Sequence, residues 1–503
     1  MHSDGGGPVK SRLTFLLVLF AAAPLPSQQA PGTNLDSVLL WLAGGISSSR
    51  IERLTSKSIP QAEACHIPPP CLHALQKAGA SPGLIQHLEH HIDGGMTGPA
   101  VPRAGSTKAC VCSGNAMGIA ALARGGNLNE AEDKVRTALR DDPQNAELLF
   151  VLGTILRSEE HFDEALDVLA DSARLGPGFP ETHGELSYLF YRTGDGDNAL
   201  AEARTALSMD PANAEGYRYL GLALYAGGHY EAALNAFDKS LLREADSADV
   251  YFDMGITYRD KGEVKRAAAA YRHALALRPD FWQAHTNLGV VLHDQGKLDE
   301  AITEYRTAIR LKPDEASVRN NLGNTFCDKE DFDHAIVEFK ELYKLAPDWE
   351  GGHNCLARAY MAKKDYAAAV RELRAAIVEN PAGAAEHRVL GQALLLLGQD
   401  AEAVAVLRKA VALNPESAMA HHYLGTALVN IQEMTEAEKE FREALRLEPT
   451  APNHYALAAC LMASNRPEEA LGELEIASRL DPHENLYRAR MQEAARMITT
   501  TSK

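Results

Sequence analysis

From residue 112 onward, apolar residues recur at spacings of three and four, the spacing of one helix face. Leu288 and Leu292 fall on one side of a segment that ends at Gly296. In the next segment Tyr305 lies on the apolar side, and Pro313 ends the helix because proline cannot continue the hydrogen-bond ladder. The pattern therefore predicts pairs of amphipathic helices, that is, helical hairpins.

These hairpins recur with a fixed period of 34 residues, marked by proline. At one place in the series the proline is replaced by Ala245, which lies at the position that the period predicts. The series consists of Pro143, Pro177, Pro211, Pro279, Pro313, Pro347, Pro381, Pro415 and Pro449, with Pro482 one residue early. A period in the range of about 20 to 50 residues indicates an array of repeated units rather than one globular core. We predict an all-α fold and expect function on a surface.

Small residues recur where the two helices of a hairpin must approach closely. The first helices carry Gly153, Gly221, Gly255, Gly289, Gly323, Gly391 and Gly425, and the second helices carry alanine in register, as at Ala233 and Ala301. With the Leu–Gly pair, the turn glycine such as Gly262 and the closing proline, the chain resembles the tetratricopeptide repeat family. The resemblance implies a right-handed superhelical α-solenoid of helix-turn-helix units whose first helices line a concave groove.

We count about eleven units from 112 to 483, followed by a capping helix at 484–498. The family resemblance places the fifth, sixth and ninth positions of each first helix in the groove. Near the centre of the array these positions are mostly amides and arginines, namely Asn287, Asn320, Asn321, Asn324, Asn354, Arg358, Arg388 and Gln392. Amides donate and accept hydrogen bonds, so they can pair with the backbone of an extended peptide segment. The alternative interpretation is a solvated polar face.

Two other features of the predicted first helices were weighed as sites. Aromatic residues in the fourth and fifth units could hold apolar side chains of a partner, although packing between units explains most of them: Tyr217, Tyr219, Tyr225, Tyr251, Phe252 and Tyr258. Histidines recur at the fourth position, but successive hairpins are about 10 Å apart, too far to share one metal ion. We interpret them as packing or surface residues: His183, His285, His353, His387, His421 and His454.

The region before the array divides into three parts. Residues 1–30 have a positive start and a short apolar stretch, which predicts a signal peptide; the alternative is an uncleaved anchor. Residues 35–93 have the pattern of a small helical module. Residues 94–111 are rich in glycine and proline, which predicts a flexible linker. The signal peptide predicts an exported protein, periplasmic or secreted, and we expect no stable membrane span after signal cleavage.

Seven cysteines are present, three of them inside predicted helices. In an exported protein Cys65 and Cys71 are a possible disulfide, because that compartment is oxidising. We interpret the helical cysteines, Cys327, Cys355 and Cys460, as small buried hydrophobic residues. Cys65, His66, Cys71 and His73 give a weaker alternative, a metal or redox module, but their spacing matches no zinc motif.

Charge and motifs limit the classes of function. The formal net charge of −18 repels a nucleic-acid backbone, and we expect no nucleic-acid partner. The chain has no phosphate-binding loop, HExxH motif or Ser/His/Asp pattern, so we predict no catalytic residue, metal or cofactor. The leading hypothesis is a non-enzymatic protein-binding scaffold of the bacterial cell envelope. Because Asn287 and Asn321 resemble a fragment of the asparagine ladder of O-linked N-acetylglucosamine transferases, a substrate-recognition subunit of an enzyme system is the alternative.

Overall fold

The computed structural model describes residues 35–58, 65–92, 108–109 and 112–501. These residues form 27 helices and one pair of two-residue strands. The prediction of an all-α fold built from helical hairpins is confirmed. The signal peptide predicted at 1–30 lies outside the described residues. The chain divides into two compact units, residues 1–245 and residues 246–503, and each is described by itself.

The first unit begins with four helices within residues 35–92, which we call the small module. Its helices are α1 (Leu35–Ala43), α2 (Ser48–Ser58), α3 (Pro69–Lys77) and α4 (Pro82–Ile92). Strand β1 (Cys65–His66) pairs in parallel with β2 (Lys108–Ala109). Residues 108–109 were expected in the flexible linker, and their backbone is instead hydrogen-bonded in this strand pair. The rest of that predicted linker, apart from these two residues, lies outside the described part of the chain.

Four hairpins follow in the first unit, and we number the repeats in chain order from here. Repeat one is α5 (Gly114–Arg124) with α6 (Leu128–Asp141), and repeat two is α7 (Ala146–Ser158) with α8 (Phe162–Leu175). Repeat three is α9 (Pro180–Arg192) with α10 (Gly196–Met209), and repeat four is α11 (Ala214–Ala226) with α12 (Tyr230–Leu241).

Seven hairpins and a last helix form the second unit. Repeats five to seven are α13 (Ala248–Asp260) with α14 (Val264–Leu277), α15 (Trp282–Asp294) with α16 (Leu298–Leu311), and α17 (Ala316–Asp328) with α18 (Phe332–Leu345). Repeats eight and nine are α19 (His353–Ala362) with α20 (Tyr366–Glu379) and α21 (Ala384–Leu396) with α22 (Asp400–Leu413). Repeats ten and eleven are α23 (Ala418–Asn430) with α24 (Met434–Leu447) and α25 (Ala451–Ala463) with α26 (Pro467–Leu480). Helix α27 (Asn485–Thr501) packs on α26 and buries Ala494.

The glycines of the first helices make room for large side chains of the second helices. At Gly255 an added Cβ atom would lie 2.4 Å from Cε1 of Tyr271, closer than non-bonded carbons approach. Tyr271 is fully buried, and Ala267 one turn before it has no exposed surface. The same relation joins Gly221 to Phe237. The glycine pattern in the sequence therefore reports a close approach of the two helices, filled by an aromatic ring.

The small module packs against the first repeats of its own unit. Helix α1 contacts α5 and α7, and the indole of Trp41 stacks on Phe179 with ring centroids 5.8 Å apart. Helix α3 contacts α5, which brings Cys71 to Cys112. These two residues form a disulfide with Cα atoms 5.9 Å apart. The prediction that Cys71 pairs with Cys65 is therefore wrong, because α3 presents Cys71 to the start of the array.

A second disulfide corrects the prediction for the helical cysteines. Cys327 in α17 is bonded to Cys355 in α19, with Cα atoms 6.0 Å apart. Both are buried, as predicted, but they are not free thiols. Cys460 is a free cysteine, and it is buried. The two bonded helices belong to consecutive repeats, so the disulfide joins neighbouring hairpins covalently.

Candidate partner-binding surface

The predicted groove residues lie on the first helices of repeats six to nine, which are α15, α17, α19 and α21. Two links show that these helices are neighbours: the Cys327–Cys355 disulfide joins α17 to α19, and Asn354 Nδ2 donates to Glu386 Oε1 at 3.0 Å, joining α19 to α21. We use the name amide surface for the eight predicted residues, Asn287, Asn320, Asn321, Asn324, Asn354, Arg358, Arg388 and Gln392. The structure brings them onto adjacent helices.

Four asparagines of the amide surface have unused hydrogen-bonding capacity. Asn287, Asn320, Asn321 and Asn324 are half-buried, and in the described part of the chain their side chains make no hydrogen bond. Three of the four lie on α17, one turn or less apart. A half-buried amide has two donors and two acceptor lone pairs, and water at an open surface can fill them. These amides are therefore available to an incoming polypeptide backbone.

Charged residues border the amides and are already paired. Nε2 of His293 lies 3.0 Å from Oδ2 of Asp328, and the guanidinium of Arg358 lies 3.9 Å from the same carboxylate. Arg358 is 56% exposed, so a partner carboxylate can reach it. This chain of side chains crosses from α15 through α17 to α19 and adds inter-repeat contacts next to the amides.

Arg388 and Gln392 extend the amide surface onto α21, where both are half-buried. The positive charge of Arg388 acts on Tyr423 of the next repeat. Burial raises the pKa of the Tyr423 hydroxyl, and the charge of Arg388 partly offsets that effect. The phenol therefore remains protonated and can donate a hydrogen bond.

The start of repeat eight departs from the other repeats and lies beside the amide surface. Helix α19 has ten residues, where α17 and α21 have thirteen, and Gly351 and Gly352 before it both have positive φ. The Tyr343 hydroxyl donates to the Gly351 carbonyl, and the Gly351 amide donates to Glu379 Oε1, both at 2.8 Å. In the sequence, the Gly351–Gly352 pair marks this shortened helix, but our prediction of the helices did not take the pair into account.

A shallow depression of mixed polar and apolar lining is present at repeats ten and eleven. Its lining residues are Met419, His422, Tyr423, Glu448, Thr450, Pro452 and Asn453. Asn453 Nδ2 donates to the Glu448 carbonyl at 2.8 Å, so its Oδ1 atom accepts from Nδ1 of His422 at 2.9 Å. Burial lowers the pKa of His422, and its ring is therefore neutral at pH 7.

In the first unit, the small module packs on the first helices of repeats one and two and reaches the start of repeat three. Gly44 lies against Phe150 of α7, where an added Cβ would be 2.4 Å from the ring. Arg50 Nε donates to Glu181 Oε1 at 2.5 Å, and Nη1 of the same residue donates to Asp210 Oδ2. Burial raises the pKa of Glu181, and the charge of Arg50 opposes that effect. The first-helix surface of this chain therefore already binds one helical segment.

The predicted aromatic cluster is mainly a packing feature. Tyr258 is 7% exposed, and Phe252 packs on Phe281 with ring centroids 4.7 Å apart. Tyr219 is half-buried, and its hydroxyl donates to Glu185 at 3.1 Å. Tyr217 lies under the guanidinium of Arg243. Aromatic residues of the first helices thus pack against neighbouring helices and against a cationic side chain.

Some of the side chains considered for a metal site in the small module have other partners. Within the described ranges, no group of three or more His, Cys, Asp and Glu side chains could hold a metal ion. Cys71 is bonded to Cys112, and Nε2 of His87 lies 2.9 Å from the Thr55 hydroxyl. No described helix combines the length and apolar composition that a bilayer crossing requires.

Comparison with known families identifies the repeat. The tetratricopeptide repeat model matches residues 115–180, 185–249, 252–316, 294–348 and 424–485, more than half of the chain. A second tetratricopeptide repeat model matches residues 391–432. The chain belongs to the tetratricopeptide repeat family. Such repeats are in general non-catalytic modules that bind proteins or peptides.

Solved structures similar to this tetratricopeptide repeat protein contain the same type of repeat. A chain of the APC/C hetero-tetramer Cut9–Hcn1 matches with 19% identity over 62% of each chain and a TM-score of 0.44. PilF of Pseudomonas aeruginosa matches with 18% identity over 41% of this chain and 94% of its own, with a TM-score of 0.38. YrrB, described as a TPR protein with an unusual peptide-binding site, matches with 22% identity over 39% and 97%, with a TM-score of 0.30. A comparison with curated proteins gave no significant match.

Proposed function

We propose that this tetratricopeptide repeat protein is a non-enzymatic scaffold that holds an extended segment of a partner protein on its amide surface. The observation that carries the proposal is the group of four half-buried asparagines, Asn287, Asn320, Asn321 and Asn324, whose side chains have no hydrogen-bond partner among the described residues. An extended backbone offers alternating N–H and C=O groups that match such amides. Recognition through the backbone tolerates varied partner side chains.

The exposed charges at the border of the amide surface add selectivity. Arg358 is more than half exposed and shares Asp328 with His293, so a partner carboxylate can compete for its guanidinium. Arg388 lies on α21, the first helix two repeats after α17. A partner segment that crosses the amides in an extended conformation reaches both arginines, and acidic side chains on it gain charge-assisted hydrogen bonds. The segment we propose is therefore extended and carries acidic residues.

The proposed location is outside the cytoplasm, in the bacterial cell envelope. Two disulfides in the described residues, Cys71–Cys112 and Cys327–Cys355, support an oxidising compartment. The residues at 1–30 have the composition of a signal peptide. The alternative of a substrate-recognition subunit depends on an asparagine ladder. Asn287 and Asn321 occupy the sixth position of their repeats, and the next repeat has Cys355 there, bonded in a disulfide.

The test is an affinity pull-down from the native organism with a variant in which Asn320, Asn321, Asn324 and Arg358 are changed to alanine. We expect the partner to be lost while the circular dichroism spectrum is unchanged, because the three asparagine side chains make no hydrogen bond among the described residues and Arg358 is 56% exposed. The matched control changes four exposed residues of second helices to alanine: Thr303, Arg306, Arg310 and Lys340. Retention of every partner by the amide-surface variant contradicts the proposal.

A further inference from the structure

Histidines at the fourth position of the first helices form a recurrent pair within their own hairpins. In five repeats, the Nδ1 atom of the histidine lies 2.5 to 2.8 Å from a glutamate Oε2 atom on the second helix, nineteen residues further on. The pairs are His183–Glu202, His285–Glu304, His353–Glu372, His421–Glu440 and His454–Glu473. Sequence reasoning interpreted these histidines as packing or surface residues and did not identify the pairs.

In three of these histidines the second ring nitrogen also faces an acceptor. Nε2 of His285 lies 3.1 Å from the Pro279 carbonyl oxygen, and Nε2 of His421 lies 3.0 Å from that of Pro415. Nε2 of His353 lies 3.5 Å from a carboxylate oxygen of Glu379. A neutral imidazole has one N–H group, so it can satisfy one of two acceptors. Two acceptors at opposite nitrogens select the doubly protonated, positively charged ring.

Arg319 in repeat seven shows which charge this position requires. Its guanidinium donates to Glu338 Oε2 at 3.1 Å and to the Pro313 carbonyl at 3.4 Å. Glu338 is nineteen residues after Arg319 and Pro313 is six before it, the same offsets that relate Glu304 and Pro279 to His285. A permanent cation therefore makes the contacts that His285 and His421 make in their repeats.

We propose that His285, His353 and His421 are proton-dependent clamps, which hold the hairpins of the second unit together when charged and release them when neutral. The proline carbonyls belong to the turns that close the preceding repeats, so His285 and His421 each connect two repeats. His353 connects its own second helix with Tyr343 of the preceding repeat, whose hydroxyl lies 3.3 Å from Nδ1.

The other charged and titratable groups around each ring are few. Glu304 and Arg310 of α16 act on His285, and the positive charge of Arg310 opposes protonation. The carboxylates of Glu372 and Glu379 of α20 act on His353. Near His421 the second helix α24 contributes its partner Glu440, together with Glu443, whose pKa is lowered mainly by its hydrogen bond to Arg446 and also by the charge of the histidine. Each ring therefore faces at least one carboxylate, and at His285 the positive charge of Arg310 opposes its effect.

The direction of the pH effect follows from the shifts of two of the rings. Burial disfavours the charged form of His285, but the hydrogen bonds to Glu304 and to the Pro279 carbonyl outweigh it, and its pKa is raised. The hydrogen bond to Glu372 raises the pKa of His353 despite burial. A raised pKa gives stability that is complete below the unfolded value of about 6.5 and lost as pH rises through the folded value. The second unit is thus more stable in mildly acidic than in alkaline solution.

The test measures urea denaturation of the full-length protein at about pH 6 and about pH 9. We expect the wild-type midpoint to fall with rising pH, and the His285→Arg/His421→Arg variant to lose most of that fall, because arginine stays charged. The control, His229→Arg/His483→Arg, adds the same charge at two exposed sites and should keep the wild-type fall. If the urea midpoint falls equally in the His285→Arg/His421→Arg variant and in the wild type, the proposal is overturned.

A second measurement does not depend on the folding of that variant. Nitrogen NMR of wild-type protein labelled at histidine distinguishes charged rings from neutral ones, and the His285→Gln and His353→Gln variants assign the two signals. Because the pKa of both rings is raised above the ordinary histidine value, we expect each to be more than half doubly protonated at about pH 6.5. A mostly neutral ring at that pH refutes the clamp for that repeat.

Discussion

Cys327 and Cys355 are bonded to each other across the boundary between repeats seven and eight. They are 28 residues apart, the same separation as Arg157 and Glu185, whose Nε and Oε2 atoms lie 2.8 Å apart in repeats two and three. Counted from the start of each repeat, residue twelve of one repeat thus meets residue six of the next, in both units. In the second unit this contact is covalent and lies beside the amide surface.

Removal of this disulfide should destabilise the second unit. In the chain-entropy description, opening a loop of 28 residues lowers the free energy of unfolding by about 3–4 kcal/mol. We expect Cys327→Ser/Cys355→Ser to increase hydrogen exchange in α17 and α19, measured by mass spectrometry. The control, Cys71→Ser/Cys112→Ser, should raise exchange in α3 and α5 instead. Unchanged exchange in α17 and α19 would show that the bond is dispensable there.

The buried ion pairs of Arg50 should hold the small module against the array. Arg50 is 6% exposed and contacts the carboxylates of Glu181 and Asp210. Because Arg50→Ala leaves these carboxylates buried without their cation, we expect a loss of about 3–5 kcal/mol in the free energy of unfolding of the first unit. Urea denaturation measures the loss. As a control, Arg174→Ala removes a surface pair with Asp171 and should cost less than about 1 kcal/mol; an equal cost for the two variants contradicts the prediction.

The contact between Gly255 and Tyr271 predicts opposite effects for two glycine substitutions. Gly255→Ala places a methyl group against the buried ring, so we expect destabilisation by about 1–3 kcal/mol. Gly472→Ala meets no atom within 4 Å in an exposed part of α26, and we expect stabilisation by about 1 kcal/mol because alanine favours helix. Thermal unfolding compares the two variants. A neutral or stabilising Gly255→Ala would mean that the hairpin has room that the structure does not show.

The repeat architecture could be predicted from the sequence because its determinants are local and recur. Proline beyond the first turn stops a helix, and glycine opposite a large ring reports a close approach, as at Gly255. Eleven copies of the same pattern leave little ambiguity in register. The amide surface follows from that register, and its residues do lie on adjacent first helices.

Contacts between distant parts of the chain were not predictable in the same way. The choice of Cys112 rather than Cys65 as partner of Cys71 depends on the packing of α3 on α5, which no periodicity encodes. The position of Arg50 beside Glu181 depends likewise on where the small module packs. The Cys327–Cys355 bond could have been proposed from its 28-residue separation, at which Arg157 and Glu185 also meet.

The measurement that tests the central claim most directly is site-specific photo-crosslinking in the native organism. A photoreactive amino acid replaces Asn321 on the amide surface or, as the matched control, Val337 on the second helix of the same repeat, which is 55% exposed. We predict a discrete crosslinked partner protein from position 321 and none from position 337. Equal crosslinking from both positions, or a product from position 337 alone, would contradict a partner site on the first helices.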